Sequence, residues 1–294
     1  MDNKIPSGAD ETKKSIGTTG HVWDGIEELN TPLPRWWLWT FYACIVWAFG
    51  YWIVYPAIPL MTSFTKGTFG WSSREAVVAD LNELKTLRSG LNTRIEMASL
   101  DEIEKSPELL AFARAQGAAS FAVNCSPCHG AGAQGFKGYP NLNDDDWIWG
   151  GKADAIHTTL LHGVRWEADP ETRISVMPSF GRDGILKPSE ISAVADYVLT
   201  LSGLTPDAAT DLVLGKAVFA TNCAACHSDS GAGNRELGVP NLSDQVWLYG
   251  SDKVTITERI NLGGGGVMPS WSERLDAATL KSLAVYVHTL GGGE

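Results

Sequence analysis

Two short motifs of identical spacing hold the residues best suited to do chemistry in this sequence. Each has two cysteines separated by two residues and followed at once by a histidine. Two thiols at this spacing can form thioethers to the two vinyl groups of one haem, and the adjacent histidine is then held beneath the iron as an axial ligand. The motifs therefore predict two covalently attached c-type haems. They consist of Cys125, Cys128 and His129, and of Cys223, Cys226 and His227.

Zinc binding and dithiol redox chemistry are the two alternatives for such motifs. A shared zinc site would need ligands from both motifs, but these start at residues 125 and 223, much farther apart than the ligand pairs of zinc ribbons. A redox Cys-x-x-Cys follows a strand in a βαβ unit, and no strand pattern precedes either motif. Haem attachment is therefore the favoured interpretation.

A six-coordinate haem also needs a ligand on the face opposite the histidine. The chain has five methionines, and two of them occupy equivalent Met-Pro-Ser positions, Met177 and Met268. We expect His129 to pair with Met177 and His227 with Met268. His/Met ligation raises the reduction potential relative to two histidines. Because both faces of each iron are then filled, the sequence predicts electron transfer and no catalytic residue in this chain.

The remaining histidines and the fifth cysteine are weaker candidates for metal chemistry. His157 and His162 have no counterpart in the second motif's region, and His288 stands where the first has Leu199. We expect these three histidines to lie at the surface or near haem propionates. Cys44 lies in an apolar run and is expected to act as a small hydrophobic side chain.

The motifs lie in two copies of one domain. Matching features follow each motif in the same order: a Pro-Asn-Leu turn, a tryptophan, a Met-Pro-Ser loop and a closing helix. The helix periods predict an all-α fold, with the closing helices at about 188–201 and 276–290. We expect two tandem cytochrome c domains, one at residues 108–204 and one at 205–294.

An uncharged, aromatic segment precedes the domains. Residues 36–55 match the roughly 20 residues that a helix needs to cross a bilayer, and aromatic residues cluster at both ends. The sequence therefore predicts a single transmembrane helix, assigned to residues 36–61, embedded in a lipid bilayer. A polar segment, residues 1–35, precedes it, and a connector with one helix, residues 62–107, follows it.

Charge and chemistry bear on partners and on orientation. The net charge of -11 and the pI near 5.0 argue against nucleic acid, because phosphate binding needs a basic patch. The basic residues Lys4, Lys13, Lys14 and Arg35 weakly favour a cytoplasmic N-terminus. Thioether attachment of haem takes place outside the cytoplasmic membrane in bacteria, so the haem domains are expected in the periplasm.

The full pattern resembles subunit III of cbb3-type cytochrome c oxidase, the FixP/CcoP family. The resemblance is most specific in residues 20–30 and 32–37, just before the apolar segment, and the two motifs and two Met-Pro-Ser loops follow in the family's order. It implies an inner-membrane subunit that accepts electrons from a periplasmic c-type cytochrome. The electrons pass to the monohaem subunit and then to the catalytic subunit, which reduces oxygen. It gives His21 no ligand role and makes docking on a neighbouring subunit the expectation for that residue.

Other functions remain open at this point. A free-standing diheme carrier, or the cytochrome subunit of a dehydrogenase, would share both motifs and the anchor. A diheme peroxidase or a haem-based sensor would instead need an iron that can open a coordination position.

Overall fold

The computed structural model describes residues 16–293, and these divide into two compact units, residues 16–85 and 86–293. Lys4, Lys13 and Lys14, which entered the expectation on orientation, lie outside the described residues. The fold is mostly helical, as predicted.

The first unit begins with a β-hairpin that the all-α prediction did not include. Strand β1 (Thr18–Trp23) pairs antiparallel with β2 (Ile26–Leu29). The turn consists of Asp24 and Gly25, both with positive φ, which is the two-residue turn that matches the twist of paired strands. The Asp-Gly pair between residues of high β-propensity was the sequence signal for this hairpin.

Helix α1 (Arg35–Val54) is the predicted membrane span. Within the described residues it is the one helix long and apolar enough to cross a bilayer. It ends because Tyr55 is extended and Pro56 follows. The chain then folds back, with the Phe69 amide donating to the Val54 carbonyl at 3.1 Å and the Tyr55 ring 5.5 Å from that of Phe69.

The second unit contains the haem motifs. Helix α2 begins in the first unit and ends in the second. The helices, in chain order, are α2 (Ser73–Met97), α3 (Leu100–Lys105), α4 (Pro107–Asn124), α5 (Ser126–His129), α6 (Ala153–His162), α7 (Pro188–Leu201), α8 (Leu212–Asn222), α9 (Ala224–His227), α10 (Lys253–Leu262) and α11 (Ala277–His288). The predicted closing helices are α7 and α11, and Pro at the first turn and an Asp276 cap start them as expected.

A first hydrophobic core joins the helix before the first motif to the last helix of the chain. It is formed by α4, α6 and α11, and it includes Cys125. Helices α4 and α11 cross closely at Gly117, where an added Cβ would lie 2.3 Å from the Ser282 carbonyl oxygen. Beside the crossing, the rings of Phe121 and Tyr286 lie 5.5 Å apart.

A second hydrophobic core is arranged in the same way, with the motif helix now taken from the second repeat and the closing helix from the first. It is formed by α7, α8 and α10, and it includes Cys223. Gly215 of α8 lies against α7, where an added Cβ would be 2.3 Å from the Ala193 carbonyl oxygen. The rings of Phe219 and Tyr197 lie 5.4 Å apart.

The packing therefore crosses between the two sequence repeats. We expected residues 108–204 and 205–294 to fold separately, but each closing helix packs against the motif helix of the other repeat. Because the repeats are similar, both closing helices present an equivalent apolar face, and periodicity alone cannot choose between the two partners. The residues that distinguish the two possible partners of a closing helix are those in which the repeats differ.

Two sets of polar contacts at non-equivalent residues favour the crossed arrangement. At the first core, Lys281 of α11 donates to the carbonyls of Glu96 and Ala98 at 2.8 and 2.6 Å, which attaches residues 96–98 of the predicted connector to that helix. At the second core, Asp196 of α7 is fully buried and pairs with Lys253 of α10 at 2.6 Å. The residue equivalent to Asp196 in α11 is the apolar Val285, so α11 could not make this pair.

We expect Gly117→Ala to lower the free energy of unfolding by about 2 kcal/mol, because the added methyl group overpacks the crossing of α4 and α11. Gly90→Ala is the matched control. Gly90 lies in exposed helix with nothing within 4 Å, so alanine there should stabilise the protein by up to ~1 kcal/mol. Thermal unfolding of the haem-loaded chain followed by circular dichroism measures both. Equal effects at the two positions would contradict the close crossing.

We expect Asp196→Ala to cost about 2–3 kcal/mol, because the Thr210 hydroxyl and the Asp207 amide lose a buried acceptor and Lys253 keeps only the exposed Asp207 carboxylate. Burial alone would raise the pKa of Asp196, but hydrogen bonds from Lys253, Thr210 and the Asp207 amide outweigh it and lower the pKa. Because the folded-state pKa is depressed, this stabilisation is present above about pH 4 and is lost as the pH falls through the folded-state value.

Denaturant unfolding at several pH values tests this, with Asp207→Asn as the control. Asp207 also lies 2.6 Å from Lys253, but its side chain is 68% exposed, so its removal should cost at most ~1 kcal/mol. A cost for Asp196→Ala that stays constant down to pH 2 would contradict the assigned ion pair.

Candidate haem sites

The first motif sits at the end of a core helix. Cys125 ends α4 and is buried, whereas Cys128 in the short helix α5 is exposed. The His129 ring places Nδ1 3.1 Å from the Pro140 carbonyl oxygen, which leaves Nε2 as the nitrogen that can bind iron. Burial lowers the pKa of His129, against a raising effect of the Pro140 hydrogen bond, so the ring is neutral at pH 7 and able to ligate.

The second motif repeats this arrangement. Cys223 ends α8 and is buried, and Cys226 is exposed. The His227 Nδ1 atom lies 3.1 Å from the Pro240 carbonyl oxygen, and burial again lowers the pKa of the ring. The sequence contained the signal for both carbonyls, since a Pro-Asn-Leu turn follows each motif, but their role as histidine partners was not predicted.

The Met268 loop, residues 264–271, is fastened to the end of helix α6. Val164 and Met268 exchange two backbone hydrogen bonds, of 2.9 and 3.0 Å. The Ser270 hydroxyl donates to the Leu161 carbonyl at 2.5 Å. An added Cβ at Gly163 would lie 2.3 Å from the Met268 carbonyl oxygen, so only glycine allows this approach. Met268 therefore packs against the first core, which contains Cys125.

The Met177 loop, residues 173–180, is fastened in the same way to the end of helix α10. The Gly264 amide donates to the Met177 carbonyl at 2.8 Å, and the Ser179 hydroxyl donates to the Leu262 carbonyl at 2.7 Å. An added Cβ at Gly263 would lie 2.4 Å from the Met177 carbonyl oxygen. Met177 packs against the second core, which contains Cys223.

The predicted pairing of histidines with methionines is thus at odds with the structure. We expected His129 with Met177 and His227 with Met268, each within one repeat. The structure brings Met268 to the core of the first motif and Met177 to the core of the second. The cause is the exchange of closing segments, because each Met-Pro-Ser loop precedes a closing helix and travels with it.

The other candidate histidines lie in different surroundings. His162 lies 3.3 Å from Asp169, and His288 lies 2.6 Å from Glu104. His157 is half-buried on α6, and His21 is exposed on β1. Cys44 is exposed on α1.

Two tryptophans test whether the sites suit a haem. Trp147 and Trp247 follow Pro140 and Pro240 at the same spacing and pack against the two cores. The Trp147 Nε1 atom donates to the Gly292 carbonyl. The Trp247 Nε1 atom is buried and has no hydrogen-bond partner among the described residues. A buried N–H needs an acceptor, and a haem propionate supplies one. Together with two thiols, an imidazole and a thioether at each core, this fits a c-type haem.

Comparison with known proteins decides the family. Residues 16–62 match the N-terminal domain of cytochrome oxidase-cbb3, FixP; residues 114–202 match cytochrome c; and residues 210–287 match cytochrome c oxidase, cbb3-type, subunit III. The FixP subunit of Bradyrhizobium sp. (strain ORS 278) is 57% identical over 97% of this chain and 98% of its own length. The chain belongs to the FixP/CcoP family.

Relatives from other genera agree. FixP of Azorhizobium caulinodans is 55% identical over 94% of both chains, and the CcoP subunit of Cereibacter sphaeroides is 51% identical over 96% of this chain and 98% of its own length. As a FixP/CcoP protein, the chain is a membrane subunit of a cbb3-type oxidase with two covalently bound haem c groups. This confirms the predicted family, cofactors and electron-transfer role.

Proposed function

We propose that each iron is bound by a histidine of one repeat and a methionine of the other. His129 and Met268 would bind the iron of the haem attached to Cys125 and Cys128. His227 and Met177 would bind the iron of the other. The support is the packing of each Met-Pro-Ser loop on the core that contains the opposite repeat's motif.

The chain's own residues keep these ligands in place. The carbonyls of Pro140 and Pro240 accept from Nδ1 of the two histidines, which fixes the tautomer and the ring orientation. The Met-Pro-Ser loops are held by backbone and serine hydrogen bonds, and their prolines restrict the backbone. When bound, a haem with two axial protein ligands gains and loses one electron without an open position for a substrate.

The route of the electrons is the finer part of the proposal. The subunit accepts electrons from a periplasmic c-type cytochrome and passes them to the monohaem subunit, which delivers them to the catalytic subunit. Support comes from the family, whose members are oxidase subunits, and from the presence of both haem-attachment motifs in one compact unit. We infer that each haem unit is composed of segments from both repeats, in place of the separate units expected at residues 108–204 and 205–294, because each core contains the motif helix of one repeat and the closing helix of the other.

We further infer that the N-terminus is cytoplasmic and that the second unit is periplasmic. Helix α1 separates them in sequence, and a basic residue, Arg35, starts that helix. The supporting chemistry is the export of apocytochromes before their haems are attached.

Gentle solubilisation and affinity purification of the full chain tests the proposed function. We expect co-purification of b-type haem and copper with oxygen-reducing activity fed by reduced cytochrome c. Recovery of a lone diheme protein without these partners would contradict it.

Protease protection in spheroplasts tests the orientation, because residues after α1 should be cleaved from the outside.

A further inference from the structure

Arg165 lies between the two methionine loops. It is the third residue after helix α6 ends at His162, and it has a positive φ of 53°, which is uncommon for a non-glycine residue. Its side chain is half-buried. Such a backbone conformation costs free energy, so surrounding contacts must hold it.

The guanidinium group bonds to both loops at once. Its Nε atom donates to the Gly266 carbonyl at 2.6 Å, two residues before Met268. Its Nη1 atom donates to the Ser175 carbonyl at 2.6 Å, two residues before Met177. An arginine can make this double contact because its donors form a rigid planar fork, whereas a lysine offers one nitrogen.

The backbone around Arg165 also belongs to both loops. The Arg165 amide donates to the Arg173 carbonyl at 2.7 Å, at the start of the Met177 loop. The preceding residue, Val164, exchanges two hydrogen bonds with Met268. Residues 164 and 165 thus form the strip of chain to which both loops are attached.

The second repeat has glycine where the first has Arg165. Helix α10 ends at Leu262, so the third residue after it is Gly265. An added Cβ on Gly265 would lie 2.6 Å from the guanidinium carbon of Arg165. The space between the loops therefore holds one arginine side chain, and a side chain at residue 265 would displace its guanidinium group.

The electrostatic surroundings suit contact with carbonyl groups. Burial lowers the pKa of Arg165, against a raising effect of Tyr249. In the part of the chain that the structure describes, no carboxylate lies within ion-pair distance of this guanidinium. Its charge is directed at the two loop carbonyls, and hydrogen bonds from a charged donor are stronger than those from a neutral one.

We propose that Arg165 is a positioning residue that holds the sixth ligands of both haems at once and so couples the two redox sites. This inference rests on the proposed assignment of Met177 and Met268 as ligands. A loop freed from the arginine holds its methionine less firmly, and a weaker iron–thioether bond lowers the potential of that haem. Loss of one side chain should therefore change both haems.

The test is a spectroelectrochemical titration of the purified, haem-loaded full chain with Arg165→Gln and Arg165→Lys. In Arg165→Gln we expect the equilibrium constant for reduction of each haem to fall about tenfold. For a one-electron couple this lowers each reduction potential by about 59 mV. The ferric charge-transfer band of the iron–methionine bond should weaken at both haems. In Arg165→Lys both haems should shift in the same direction by less, because one ammonium cannot bond both carbonyls as a fork does.

Arg182→Gln is the control. Arg182 is 64% exposed; its guanidinium donates to Ser179 of the Met177 loop at 2.5 Å and lies 3.6 Å from the Asp183 carboxylate. Because neither partner belongs to the Met268 loop, at most the haem of Met177 should respond. Gly265→Ala is an independent variant that keeps the arginine but pushes its guanidinium aside, and it should shift both haems. If Arg165→Gln does not yield haem-loaded protein, Arg165→Lys and Gly265→Ala decide by the same criterion.

The inference is overturned if these variants shift one haem only or neither. Met177→Ala and Met268→Ala separate this failure from failure of the ligand assignment. If each of those variants changes one haem while the Arg165 variants do not change both, the ligands stand and the coupling fails. If neither methionine variant changes a haem, the assignment itself fails.

Discussion

We expect Met268→Ala to remove the iron–methionine bond from one haem and to leave the other haem intact. We expect the charge-transfer band of ferric iron–methionine ligation to fall by about half, and one of two potentials to drop by on the order of 0.1 V, because axial ligands set haem potentials over about 0.8 V. Met177→Ala should change the other haem, and the double variant should have no band. Reduced single variants should bind carbon monoxide at one iron.

Met97→Ala is the matched control for these variants. Met97 lies at the end of α2 with its side chain 83% exposed, so its removal should leave both potentials and the band unchanged. Retention of the full band in Met268→Ala would show that a different residue is the sixth ligand.

A chain that ends at residue 204 should not form a haem site with methionine ligation. Truncation removes α11, and with it four large side chains from the first core: Leu280, Leu283, Val285 and Val287. Full burial of such side chains is worth about 1.5–3 kcal/mol each, so the loss is comparable with the 5–15 kcal/mol that stabilise a whole domain. The truncated chain also lacks Met268.

Co-expression of the two pieces tests this prediction. Residues 1–204 and an exported fragment of residues 205–294 should associate, because the break lies in the segment between α7 and α8 and leaves both cores complete. We expect the pair to show haem staining and the iron–methionine band, and each piece alone to lack the band. A stable, methionine-ligated haem in the 1–204 piece alone would mean that the repeats fold separately.

The sequence alone predicts the parts whose physics is local. The motif spacing predicts the haems, a 20-residue apolar run predicts α1, and Pro188 and Asp276 mark the starts of the closing helices. These features depend on residues within a few turns of each other. The equivalence of Met177 and Met268 is also readable, because the repeats carry the same Met-Pro-Ser loop.

Local sequence patterns do not predict which motif helix each closing helix packs against. Each closing helix has a tyrosine and an apolar face that can pack against a glycine of a motif helix. By sequence pattern alone, either closing helix could therefore pack at Gly117 or at Gly215. The buried Asp196 held a hint, because it interrupts the apolar face of α7 and needs a cation. Its partner, Lys253, lies on a helix of the other repeat, and no local rule names it.

The role of Arg165 at the haem sites likewise could not be predicted from local sequence patterns. Arg165 and Gly265 occupy equivalent positions in the two repeats but differ in residue type, and such a difference is usually uninformative. Only the crossed packing, which brings Ser175 and Gly266 to one guanidinium group, gives that difference a role.

The most direct test of the account is an experimental structure of the haem-loaded full chain or its oxidase complex, at a resolution that shows side chains. We predict that the iron bound by His129 has the Met268 Sδ atom on its opposite face, and that the iron bound by His227 has Met177. Met177 opposite His129 would contradict the crossed arrangement and restore two separate domains.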